Sequence, residues 1–247
     1  MDKMLYIAMS GAKQNMQALS ITANNLANAK TTGFKADLAN ARSMQAFGEG
    51  LPTRVFSMTE RAGQNFDSGA LLTTGRDLDI AIQGQGWLTV QTEDGSEAYT
   101  RNGQFKLSDN GALETARGDL VMGDNGPIFL PLPVNNINIS ADGTIMVQPE
   151  GAPNNVQEEV GRIKLVNPDN RFLEKGSDGL FRRKDGNNEP ADISVQVASG
   201  ALESSNVNPI GEMTDMIALQ RQFEMQLKMM KTAEEVDASA ASLLRAF

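Results

Sequence analysis

Asp77 and Asp79 stand two residues apart in an alternating apolar stretch, so on a strand both carboxylates share one face. A pair so placed could hold a metal or serve as the acid and base of a glycosidase. Neither metal binding nor acid/base work is indicated without further ligands at definable spacing. Two strand-surface positions account for the pair equally well. Gly84-Gln85-Gly86 lacks the third Gly, the Lys and the following helix of a phosphate loop, and so reads as a turn. Asp109-Asn110-Gly111 and Asp124-Asn125-Gly126 lack the downstream Glu of a calcium loop and read as turns too. The lone Trp87 is a core or interface residue.

The chain has no Cys and no His, which excludes disulfides, thiol nucleophiles, the usual zinc sites and every triad built on imidazole. No catalytic residue, metal site or cofactor is expected. A net charge of −9 argues against nucleic acid or an anionic membrane as main partner, because both require a basic footprint. No apolar run is long enough to span a membrane. The stretch from Met4 to Met9 is shorter than the apolar region of a signal peptide, so export would use another route.

The elements are most legible at the two ends. Leu5, Met9, Ala12, Met16, Leu19, Ala23 and Leu26 recur at steps of four and three, the spacing of a coiled-coil seam. Near the other end, Met213, Met216, Gln220, Phe223, Leu227 and Met230 form a second seam, opened by Pro209 at a first-turn position. It continues as Ala233, Val236, Ala240, Leu243 and Phe247, and two successive steps of three at Met230 predict a stammer. Each helix alone is marginal in water and needs a partner along its length. Residues 1–47 carry five basic against two acidic side chains, and 203–247 carry four basic against seven acidic. That opposition favours pairing of the two ends, although solvated faces would show it as well. The many Met residues of the second helix suit several different neighbours.

Between the ends the period switches to two. Leu78, Ile80, Ile82, Leu88 and Val90 alternate with polar residues, and Asn-Gly or Asp-Gly pairs recur at 94, 102, 110, 125, 142, 178 and 185. This predicts an antiparallel β domain with Phe105, Leu113, Ile128, Ile145, Ile163, Leu165, Phe181, Ile193, Val195 and Val197 among its core. The expected architecture is α+β. Terminal helices over 1–35 and 199–247 pair as an α-helical coiled-coil domain, 36–76 forms an extended connector with short or irregular β structure, and the mainly antiparallel β domain occupies 77–198.

Several strings carry a resemblance. Asn24-Asn25-Leu26-Ala27-Asn28 followed by Thr31-Thr32-Gly33-Phe34-Lys35 closes the first helix. Arg76 to Trp87, then Tyr99-Thr100-Arg101-Asn102-Gly103, open the β domain, and Leu202-Glu203-Ser204-Ser205-Asn206-Val207 precedes the last helix. Together they resemble the flagellar basal-body rod and hook proteins. Gly123 to Ile128, Met213 to Ile217 and Phe223 to Gln226 are more similar to that family's proximal-rod branch than to its distal-rod branch. The resemblance implies a structural subunit that meets other copies of itself and neighbouring rod proteins, is exported by the flagellar type III apparatus without a cleaved signal, and sits in the periplasmic rod. Asn25, Leu26, Asn28, Gly33, Phe34, Ser205, Asn206 and Val207 are its motif residues, and the two seams are its assembly interface. A distal-rod or hook protein, a secreted carbohydrate-active β enzyme built on Asp77 and Asp79, and a phage or adhesin fibre subunit are the alternatives.

Overall fold

The computed structural model describes residues 2–39, 41–45, 55–59, 63–151 and 157–245. The chain divides into a helical unit, residues 1–29, 35–65 and 207–247, and a β unit, residues 30–34 and 66–206. Two long helices and many antiparallel strands make the fold α+β, as the change of period predicts.

In the helical unit, α1 spans Asp2–Ala27 and α2 spans Pro209–Arg245. Asn28 closes α1, its side-chain amide donating to the Asn24 carbonyl at 2.9 Å. Asn208 caps α2, its side-chain oxygen accepting from the backbone N–H groups of Ile210 and Gly211 at 3.2 and 3.3 Å. Pro209 follows at the first helical position, where a missing N–H costs nothing. Residues assigned to a connector supply two ladders to this unit, Asp37–Leu38 with Gly63–Gln64 and Ala41–Gln45 with Val55–Thr59. Of the remaining connector, 40, 46–54 and 60–62 lie outside the described residues, and 66–76 belongs to the β unit, where Leu71–Thr73 forms a strand.

The β unit is built on an antiparallel sheet of nine strands among the described residues. Its main path runs Leu173–Lys175, Phe181–Arg183, Glu97–Thr100, Trp87–Gln91, Leu120–Gly123, Leu113–Thr115 and Phe105–Leu107. A second sheet joins Val134–Ile139, Thr144–Pro149 and Glu158–Arg162. Ile80, Leu88, Phe105, Leu113, Val121, Ile145, Ile163 and Val197 form the core, and Trp87, Tyr99 and Phe181 form a second cluster beside Phe66.

Two expectations for this unit change. Ile193 is 79% exposed, because Asp192 turns the chain there by accepting from the Ser194 N–H and hydroxyl, and the strand begins only at Gln196. Gly103 does not take the positive φ of a tight hairpin. It is required for room, since a β-carbon there would lie 1.9 Å from the Ile80 carbonyl oxygen.

Candidate assembly surface

In the helical unit α1 and α2 pack antiparallel. Asn25 on α1 donates to the Glu212 carboxylate of α2 at 3.0 Å, and a β-carbon on Gly11 would approach the Gln226 amide to 3.1 Å. Moving back along α1 thus moves forward along α2. Asn25, the most buried of the motif asparagines, also exchanges two hydrogen bonds of 2.9 Å with the backbone of Asp37. It joins α1, α2 and the chain after α1 in one place.

The face that α1 buries keeps every second position of the expected seam and replaces the others. Leu5, Ala12, Leu19 and Leu26 are buried or half-buried, but buried Ala8 and Thr22 and half-buried Asn15 stand beside the exposed Met9, Ala23 and Met16, and Gln14 and Ala18 are buried as well. Gly11 lies on the same side, against the Gln226 side chain of α2. Met9 and Met16 point to solvent, Met16 being 62% exposed.

On α2 the least exposed positions are Gly211 in the first turn and then Glu212, Met216, Leu219, Phe223, Gln226, Met230, Ala233, Asp237 and Ala240. From Glu212 on, their steps alternate four and three without interruption, so the predicted stammer at Met230 is absent. Met216, Phe223 and Met230 are on this face. Met213, Leu227 and Val236 are not, and Leu227 is 46% exposed. The side chain of Leu243, and Phe247, lie outside the described residues.

Large apolar groups therefore remain on the outside of both helices at helical spacing. Tyr6, Met9 and Met16 share one face of α1; Ile210, Met213 and Ile217 share one face of α2, and Met225, Met229 and Val236 another. Large apolar side chains exposed at such spacing are candidates for contact with another chain.

In the β unit three of the motif strings converge. Gly33, at φ 68°, donates its N–H to the Glu203 carbonyl at 2.8 Å, and the Phe34 carbonyl accepts from the Asn206 N–H at 3.3 Å. The Asn206 side chain donates to the Asp67 carbonyl at 3.0 Å, and Lys175 lies 4.0 Å over the Phe34 ring. Behind them is an ion pair that sequence reading missed. Arg101 Nη1 meets Glu203 Oε2 at 2.9 Å, with side chains only 4% and 1% exposed. Arg101 also donates to the Gly84 carbonyl and stacks 5.4 Å from the Trp87 ring, while Glu203 Oε1 accepts from the Gly69 N–H at 2.9 Å. Removing one partner of such a pair costs about 3–5 kcal/mol, because the other is left charged and buried. Ser205 is half-buried in this stretch and Val207 is buried where the chain re-enters the helical unit.

The carboxylate pair considered first is not a site. Asp77 is exposed, whereas Asp79 is buried and accepts from the Thr74 hydroxyl at 2.8 Å, so the two face different surroundings. Among the described residues no group of three His, Cys, Asp or Glu could hold a metal, and no helix is long and apolar enough to cross a membrane.

These motif positions coincide with three family models. Residues 5–35 match the flagella basal body rod protein model, 81–147 the D1 domain of the flagellar hook protein FlgE/F/G, and 198–243 the C-terminal part of the flagellar basal body rod FlgEFG proteins. The flagellar basal-body rod protein FlgF of Salmonella typhimurium is 42% identical over 250 residues, covering 99% of each chain. The chain belongs to the flagellar basal-body rod protein family. FlgF of Escherichia coli K12 is also 42% identical over 99% of both chains, and the rod protein FlgG of Bacillus subtilis is 31% identical over 99% of this chain and all of its own. This rod-family chain is thus FlgF-like, and its family is structural rather than enzymatic.

Proposed function

We propose that this structural rod subunit occupies the proximal rod and polymerises through the outer faces of α1 and α2. The observation that carries the reading is the set of large apolar side chains left exposed on both helices, Met9 and Met16 on one and Met213, Leu227 and Val236 on the other. Neighbouring copies and adjacent rod proteins cover them, each contact repeating head to tail without closing into a ring. Repetition of these seams gives the stiffness that torque transmission needs.

The α1–α2 pair serves as a short antiparallel coiled coil, and the β domain, 77–198 in the simplest division, is a separate folding unit carried by it. Each helix alone is marginal, so their mutual contact, and in the rod the subunit contacts, offset the entropy of ordering both. The absence of Cys suits a periplasmic structure that needs no oxidative folding. Export through the flagellar type III apparatus, without a cleaved signal, brings the chain to the rod.

Leu227→Asp tests the reading. Leu227 is off the face that α2 turns to α1, so the soluble chain keeps its helix content by circular dichroism. In cells whose own rod gene is deleted, the variant supports neither rod completion nor swimming. Normal swimming contradicts the proposal.

A further inference from the structure

The chain passes between the two units at 29/30, 34/35, 65/66 and 206/207. On the β side, the segments at all four crossings are tied together. Residues 30–34 bond to 203 and 206, Asn206 bonds to Asp67, and the Ser204 N–H donates to the Ala70 carbonyl at 2.8 Å. Leu71–Thr73 then pairs with Ala201–Glu203 as a two-stranded ladder. Two strands so short hold poorly by themselves, and this ladder stands apart from the main sheet path.

Beside the Thr32–Asn102 hydrogen bond and the Lys175–Phe34 contact, a buried ion pair ties the main sheet to this patch. Glu203 belongs to the ladder, with its carboxylate holding the Gly69 N–H and its carbonyl holding the Gly33 N–H. Arg101 follows the strand Glu97–Thr100 and is anchored to the Gly84 carbonyl. We propose that Arg101–Glu203 is a clasp that fastens all the crossing segments to the sheet as one cooperative block, which opens and closes separately from the rest of the β unit. Three features support this. The pair is almost fully buried, so its opening is all-or-none rather than a gradual hydration. Its two halves are 102 residues apart, so closure waits for the last part of the β unit to arrive. Gly33 and Gly69 allow approach that no side chain permits: a β-carbon on Gly33 would come within 2.4 Å of the Arg101 backbone, and one on Gly69 within 2.0 Å of the Ser204 carbonyl oxygen.

Residue-resolved amide hydrogen exchange on the full-length chain tests the clasp. In Glu203→Gln the side chain keeps its shape and an acceptor for Gly69 but loses its charge. Exchange at Gly33, Gly69, Ser204 and Asn206 then accelerates together by about tenfold or more, while Val90 and Val121 in the main sheet keep their wild-type rates. Arg101→Lys retains the charge but cannot span Glu203 and the Gly84 carbonyl at once, and gives the same pattern. Either variant alone decides the matter if the other does not fold. Unchanged exchange at the four amides overturns the proposal. So does acceleration spread evenly over the main sheet, which would make the pair a contributor to global stability only.

Discussion

At Gly33 the backbone takes a conformation that costs an L-residue about 1–2 kcal/mol, and it does so against the backbone of Arg101. Gly33→Ala meets both penalties. The variant is expected to lose at least about 2 kcal/mol of β-unit stability, read by urea unfolding through Trp87 fluorescence; a loss under about 0.5 kcal/mol contradicts the packing. Tyr99 supplies a pH handle. Burial is the main cause that raises its phenol to about 12 from the ordinary 10.0, with the Glu97 and Glu189 charges adding to it, against the opposing hydrogen bond from the Glu189 N–H. Between those values the folded chain keeps a proton that the unfolded chain has released. The unfolded state therefore binds fewer protons, so this contribution is intact below pH 10 and falls as pH rises towards 12, on the order of 1 kcal/mol per pH unit. Tyr99→Phe should flatten that alkaline slope in urea midpoints measured across the range. An unchanged slope contradicts the assignment. Neither the glycine's tight fit nor the Arg101–Glu203 pair was legible in the sequence, because partners so far apart leave no local pattern; only the motif strings hinted that those positions mattered.

Individual elements were more legible where local chemistry decides them. Gly95, Gly111, Gly143, Gly179 and Gly186, each after Asn or Asp, take the positive φ that the turn reading requires. The helices are present with their seven-residue period, yet the register of their contact face was only half readable. Choosing the larger apolar residue at each step selects Met9, Met16 and Leu227, whereas the structure turns inward Ala8, Asn15 and Gln226, the last accommodated by Gly11. The face therefore depends on what a partner backbone can approach, which hydrophobicity alone does not report. Ala233, 8% exposed, separates the two faces experimentally. Ala233→Glu puts a charge against α1, and the soluble chain should lose helical circular dichroism while the Trp87 transition stays in place. Full helicity in this variant would contradict the packing of α1 on α2.

Across the whole molecule, different surfaces do different work. The inner faces of α1 and α2 combine leucines, Met216, Phe223 and Met230 with small and polar side chains, and further large apolar residues are left exposed on the outer faces. The β unit has its own core and ties the crossing segments to its sheet. Family membership was legible from short strings at both ends and in the β domain because those strings perform steric and hydrogen-bonding tasks, as Asn25 and Gly33 do. The identity of each neighbour is a property of the assembly and is written in no single chain.

The cysteine-free sequence permits a direct measurement of which faces are covered on assembly. Single variants Met16→Cys and Leu227→Cys place a thiol on the outer face of each helix, and Ala233→Cys places one on the inner face. Maleimide labelling is compared between the soluble chain and isolated basal bodies. Cys at 16 and 227 should label rapidly in the soluble chain and be protected in basal bodies, with slow labelling at 233 in either state. Equal, rapid labelling at 16 and 227 in assembled basal bodies would contradict the claim that the outer faces of the terminal helices build the rod.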